Sequence, residues 1–230
     1  MTEIMEVRCQ PLSDGVWTPA EWMEALQTAA KAHANELDIG HDRMLEEFGC
    51  LWMLVRCRVE WSVLPEPTLP LTVRTWLRKP SPILSVRDHD LLQDGRILGR
   101  AVQDWVLVDT ATRKLAGMKN IPILWELPCP QPQRTESIRR LRMPDVLPCE
   151  AQTIIATEEI DDNGHLNNVA YIRHAQRFAA PNCTGLEVSF DRECFAGEAL
   201  TLHAGDGFVR GDKADGSESF RLHFYRAEEK

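Results

Sequence analysis

From Pro19 onward, Trp22, Leu26, Ala29, His33 and Leu37 recur at three- to four-residue intervals with polar residues between them, the spacing of one face of an α-helix. Thr18 can cap it, Pro19 suits its first turn and Gly40 can close it, so the pattern predicts a helix within "TPAEWMEALQTAAKAHANELDIG". The apolar period then shortens to that of strands. "LWMLVRCRVEW", "LPLTVRTWL", "PILSVRDHDLL" and "RILGRAVQDWVLVD" read as strands, and Asp94-Gly95 suits a tight hairpin between the last two. One helix followed by antiparallel strands is an α+β arrangement.

Between Pro122 and Pro148 neither period persists, and the stretch holds six of the fourteen prolines. This composition predicts a linker over residues 126–150, separating an N-terminal domain (1–125) from a C-terminal one (151–230). All seven tryptophans precede it. Beyond it the order of elements repeats. "NNVAYIRHAQRFAAP" offers Asn167 or Asn168 as cap, an apolar side of Tyr171, Ile172, Ala175, Phe178 and Ala179, and Pro181 as a stop. Strand patterns follow in "TGLEVSFDREC", "EALTLHAGDGFVRG" and "ESFRLHFYRA", with Asp215-Gly216 as a turn. A weak internal alignment points to duplication: Asp14, Gly15 and Val16 lie over Asn163, Gly164 and His165, and Leu64 lies over Glu193. The first copy therefore lacks the histidine and the glutamate.

Composition narrows the class. The chain has 230 residues, 43% hydrophobic and 27% charged, enough for two domains of roughly 100 to 120 residues that each bury a core. No apolar run is long enough to span a bilayer, and "MTEIMEVRCQ" has no secretory-signal pattern, so a cytoplasmic protein is expected. Seven cysteines with no Cys-x-x-Cys pair fit reduced thiols rather than structural zinc. A net charge of −9 argues against a nucleic-acid partner.

The densest chemistry lies in "IDDNGHLNNVAYI", residues 160–172. Asp161, Asn163 and His165 alternate, and in an extended segment they would share one face. A helix begins directly afterwards, and its free N–H groups and positive dipole end favour a developing oxyanion. Capping and turn chemistry explain one or two of these side chains, but give no reason for the histidine.

The segment resembles the D-x-N-x-H-x-N-N-x-x-Y-I motif of acyl-[acyl carrier protein] thioesterases, the plant and bacterial enzymes with two fused hotdog domains. Twenty-eight residues beyond His165, "FDREC" is similar to that family's strand motif ending in Arg-Glu-Cys, and "HANELDIG", "RCRVEW" and "AVQDWVLVDTATRK" look like its first-half segments. The resemblance implies two tandem hotdog domains, each a long helix wrapped by a curved antiparallel sheet. It implies an N-terminal acyl-chain chamber and a catalytic set of Asp161, Asn163, His165 and Glu193, with Cys194 adjacent. Glu193 would be the general base in hydrolysis of fatty acyl-[acyl carrier protein], without cofactor or metal. Acyl-CoA hydrolysis, dehydration of 3-hydroxyacyl groups and noncatalytic acyl binding are the other uses of such a pocket.

Two rival chemistries remain at this level. Cys194 with a histidine and asparagine could form an acyl-enzyme, although adjacent strand positions face opposite sides. His165, Asp161, Glu193 and His174 are all metal-ligand types, but His174 would stand about 13 Å along the helix. An acidic carrier protein needs a basic surface, for which "QRTESIRRLR" offers Arg134, Arg139, Arg140 and Arg142, with Arg74, Arg78 and Lys79 as a second patch. A homodimer through an exposed sheet edge is also open, although the fused halves already supply the pairing that single-domain relatives reach by dimerising.

Overall fold

The computed structural model describes residues 3–10 and 17–226. Asp14, Gly15 and Val16, one side of the internal alignment, lie outside the described residues. In chain order the elements are β1 (Met5–Cys9), α1 (Pro19–Glu36), α2 (His41–Phe48), β2 (Cys50–Trp61), β3 (Leu71–Leu77), β4 (Ser85–Gln93), β5 (Arg96–Asp109), β6 (Leu115–Ala116) and α3 (Ile123–Glu126). The second half holds β7 (Cys149–Ile154), α4 (Asn168–Ala175), β8 (Gly185–Phe190), β9 (Ala199–Gly205), β10 (Phe208–Lys213) and β11 (Glu218–Tyr225).

Helix α1 starts as expected at Thr18, whose N–H donates to the Glu21 carboxylate at 2.9 Å, and buries Trp22, Leu26, Ala29 and His33. It stops earlier than the sequence suggests. Asp38 takes a left-handed conformation (φ 59°), which a right-handed helix cannot absorb. Gly40 is not the terminator but the N-cap of α2, an element absent from the sequence reading because Met44 is its one buried residue. Asp94 and Gly95 both have positive φ (49° and 77°), the requirement of the predicted two-residue hairpin between β4 and β5.

All strands join one antiparallel sheet in the order β1-β3-β4-β5-β2-β8-β11-β10-β9-β7, with β6 against β5. Read outward from the centre, the two sides have matching connectivity, and α1 of the first half corresponds to α4 of the second. Thr18 and Asn167, which the internal alignment superposes, are both N-caps. The two helices meet, with Ala20 N–H donating to Gln176 Oε1 at 3.2 Å, and one core joins Trp22, Leu26, Val59, Ile172, Val188 and Phe220 across both halves. This is the α+β, twice-repeated helix-and-sheet architecture that the sequence implies.

The halves meet where β2 pairs with β8, in a register that sets Arg58 opposite Glu187. Arg58 Nε donates to Glu187 Oε2 at 2.8 Å. The alignment that lays Leu64 over Glu193 also lays Arg58 over Glu187, so the pair sits at the local two-fold axis.

Residues 127–148 contain no helix or strand. The chain there runs along the sheet rather than away from it. Lys79 N–H donates to Gln133 Oε1 at 3.0 Å, Arg134 to the His89 carbonyl at 3.3 Å, and Leu141 N–H to Ser189 Oγ at 3.2 Å. The segment thus crosses from strands of the first half to strands of the second.

Candidate active site

Residues 160–167 form a closed loop, not the extended run that would align alternate side chains. Ile160 bridges Leu166, Asp161 N–H donates to the His165 carbonyl at 2.8 Å, and Gly164 N–H donates back to the Asp161 carbonyl at 3.0 Å. Gly164 supplies the required left-handed residue (φ 81°). Asp161 Oδ1 accepts the N–H groups of Asn163 (2.9 Å) and His165 (3.2 Å), an aspartate folding its own turn. Asp161 therefore acts on His165 through the backbone that carries it.

The loop presents His165 to Glu193, with Nε2 3.4 Å from Oε2, and Phe195 meets the imidazole edge-on at 5.3 Å between centroids. Glu193 does not lie on a strand as the sequence suggests. Strand β8 ends at Phe190, because Asp191 and Arg192 both turn their N–H groups onto the Ser219 carbonyl (2.7 and 3.0 Å). The irregular segment still sends Glu193 and Cys194 to opposite sides. Cys194 is 1% exposed, its Sγ 3.1 Å from Ser219 Oγ and its N–H bonded to Tyr171 Oη. That sulfur is packed in the core, away from Glu193. Burial, with Cys194 beside it, pushes the Tyr171 hydroxyl well above the usual tyrosine range, so it serves as a neutral donor and acceptor.

A residue that the sequence reading missed completes the cluster. Arg113, in the turn after β5, donates from Nη2 to Glu193 Oε2 at 2.5 Å, while Lys213 Nζ donates to the Glu193 carbonyl at 2.7 Å. Arg113 itself has positive φ (57°), so its local sequence carries only the signature of a turn.

The start of α4 is more restricted than a generic helix end. Leu166 N–H goes to Cys194 O, Asn167 N–H to Glu159 O, Val169 N–H to Asn167 Oδ1 and Ala170 N–H to Asn167 O. The Asn168 N–H is left without an acceptor among the described residues. His165 precedes this helix by three residues, so the α4 dipole acts on it only from outside the first turn.

These groups line a cavity of about 810 Å³ to which both halves contribute walls. The first half contributes Ala30, Ala34, Ile39, Trp52, Leu77 and Trp105; the second contributes Leu166, Tyr171 and Phe190 beside Asp161, Asn163, His165, Asn168 and Glu193. Only two of the seven tryptophans face it. Trp22 instead stacks on Trp61 at 5.5 Å in the core, and Trp76 lies under Arg134 at 4.6 Å. Among the described residues, no three His, Cys, Asp or Glu side chains converge as a metal would need, and His174 Nε2 is 2.9 Å from Glu159 instead.

The basic patch expected on the linker is half consumed by internal pairing. Arg134 bonds Asp90 and the His89 carbonyl, and Arg140 bonds Asp191 and Glu218 at 3.0 Å. Arg139, Arg140 and Arg142 are all exposed, and of these Arg139 and Arg142 make no ion pair among the described residues. In the second patch, Arg74 pairs with Glu6 and Arg78 with Asp88, leaving Lys79 exposed.

Residues 17–121 match the family model described as the acyl-ACP thioesterase N-terminal domain. No curated protein sequence matches the chain. Among solved structures, an acyl-ACP thioesterase from Bacteroides thetaiotaomicron superposes with a TM-score of 0.83 at 21% identity, over 98% of this chain and 99% of that one. A putative oleoyl thioesterase from Lactobacillus plantarum gives 0.77 at 16% identity, over 96% and 94%. The 12:0-ACP thioesterase from Umbellularia californica gives 0.76 at 17% identity, over 98% and 97%.

Proposed function

We propose that this protein is a thioester hydrolase that releases free fatty acid from fatty acyl-[acyl carrier protein]; the match of residues 17–121 to the acyl-ACP thioesterase N-terminal domain model and the double-hotdog fold of the whole chain support this reading. The observation that carries the mechanism is the 3.4 Å approach of Glu193 Oε2 to His165 Nε2 in the wall of the shared cavity. Glu193 takes a proton from a water molecule, and the water oxygen attacks the thioester carbonyl carbon. The Asn168 N–H faces the oxygen on which negative charge develops. Collapse of the tetrahedral species expels the thiolate, which takes up the proton held by Glu193. His165 holds the Glu193 carboxylate and the water between them, Asn163 donates to the substrate, and Asp161 keeps the loop closed.

In this reading residues 1–125 house the acyl chain, 126–150 link the halves, and 151–230 supply the chemistry, with Arg113 reaching across from the first half to fix the Glu193 carboxylate. Acyl carrier protein docks through the exposed Arg139 and Arg142. The free state of all seven cysteines fits a reducing cytoplasm and a place in fatty acid biosynthesis. Among the described residues, no helix is long and apolar enough to cross a membrane.

Thiol release from carrier-protein and CoA thioesters is the direct test. Removing the base should cost about 10²–10⁴-fold, so Glu193→Gln and His165→Ala should each collapse turnover in folded protein. Near-normal rates in both Glu193→Gln and Asp161→Ala would refute the mechanism. Salt dependence confined to carrier-protein substrates, and lost in Arg139→Gln/Arg142→Gln, is the signature expected of docking.

A further inference from the structure

The wall that β4 contributes to the cavity is not apolar. Arg87 lines the cavity yet is 4% exposed, and its contacts are His33 Nδ1 at 2.7 Å and Thr75 Oγ1 at 3.2 Å, both from the same Nη1. Neither partner is an anion, since an imidazole and a hydroxyl carry no negative charge. Nε and Nη2 have no acceptor among the described residues, and no carboxylate there pairs with this cation. The opposite face of the same strands behaves otherwise: Arg78 meets Asp88 at 2.8 Å, Arg56 meets Asp104 at 3.0 Å, and Arg134 meets Asp90. Burial lowers the Arg87 guanidinium to about 9, which leaves it a cation at neutral pH. A buried charge without a counterion is among the most unfavourable features a fold can keep, and an entering anion would relieve it. Ser85, two residues earlier on the same face, lines the cavity beside it.

Resting on the reading of the cavity as an acyl chamber, we propose that Arg87 forms a carboxylate subsite, taking a carboxylate borne on an aliphatic chain that lies in the chamber. A guanidinium with two free donor nitrogens suits a carboxylate's paired oxygens. The chain has two sources: an ω-carboxyacyl thioester, or a free fatty acid entering by its carboxylate and blocking the chamber.

Calorimetry on the full chain with ten-carbon probes separates these from each other and from hydrolysis. Decanedioate should bind on the order of tenfold more tightly than decanediol, and decanoate more tightly than decanol. Arg87→Met should remove both preferences. A thiol-release arm then assigns the source. Faster cleavage of ω-carboxydecanoyl than of decanoyl thioester supports the substrate role, and competitive inhibition by decanoate but not decanol supports the fatty-acid role. If the wild-type chain shows no preference for acid over alcohol, the subsite is refuted even should Arg87→Met fail to fold. A preference retained in Arg87→Met places the carboxylate elsewhere and also refutes it. Because the free acids cannot be hydrolysed, their binding is read whether or not the chain cleaves thioesters.

Discussion

Asn168 is the first helical residue of α4, a position where proline is tolerated because its missing N–H has no partner inside the helix. The preceding Asn167 is already extended (φ −58°, ψ 137°), as a residue before proline must be. Asn168→Pro therefore removes the unbonded N–H with little disturbance of the helix. We expect kcat to fall by about 10²–10³-fold while the melting temperature holds, with Asn168→Ala close to wild type as the control. His89 allows a second test. Burial, then the Arg87 charge, lowers it to about 3 from 6.5, so it is neutral when folded. Between those values the unfolded chain binds the additional proton, and stability contributed by the neutral ring is lost as pH falls from 6.5 toward 3. Urea titrations of wild type and His89→Gln should show a shallower acid-side loss in the variant. The loop cluster was legible in the sequence because its polar residues exceed what a cap and a turn require. Arg113 was not, because it reaches Glu193 from a turn 80 residues away whose own sequence asks for nothing more.

Elements were legible where their faces differ sharply. Helix α1 and strands β2 to β5 carry strong apolar periods, and their predicted centres coincide with the observed ones. Strand β7 was invisible for a physical reason: its burial alternates between exposed and half-buried, so no strongly apolar face is written into "CEAQTI". The predicted continuation of β8 through Cys194 failed because apolar composition does not report that Ser219 draws the backbone aside. The hairpin between β9 and β10 offers an element-scale prediction. Gly207 has φ 80°, and a Cβ there would stand 2.3 Å from the Phe224 carbonyl oxygen. Gly207→Ala should destabilise the protein by about 2 kcal/mol or more in denaturant titration, because both conformation and space oppose the methyl group.

At the level of the whole molecule, one sheet and one core unite two copies of the same wiring; the repeated element order and a weak internal alignment pointed to the duplication, and the family resemblance implied how the halves pair. The shared cavity was less legible, since the tryptophan bias that suggested a chamber mostly fills the core, and the walls come from segments remote in sequence. The ion pair at the junction can be tested by reversal. Glu187→Arg should cost about 1–3 kcal/mol by opposing two partly buried cations, and adding Arg58→Glu should recover most of it. On the axis of a true homodimer each residue faces its own twin, and twins carry the same sign. Arg58 and Glu187 can attract one another only because a single gene now encodes both sides. Any exchange that married two like halves from different molecules would set arginine against arginine or glutamate against glutamate, so the fusion favours its own internal partnership over promiscuous assembly.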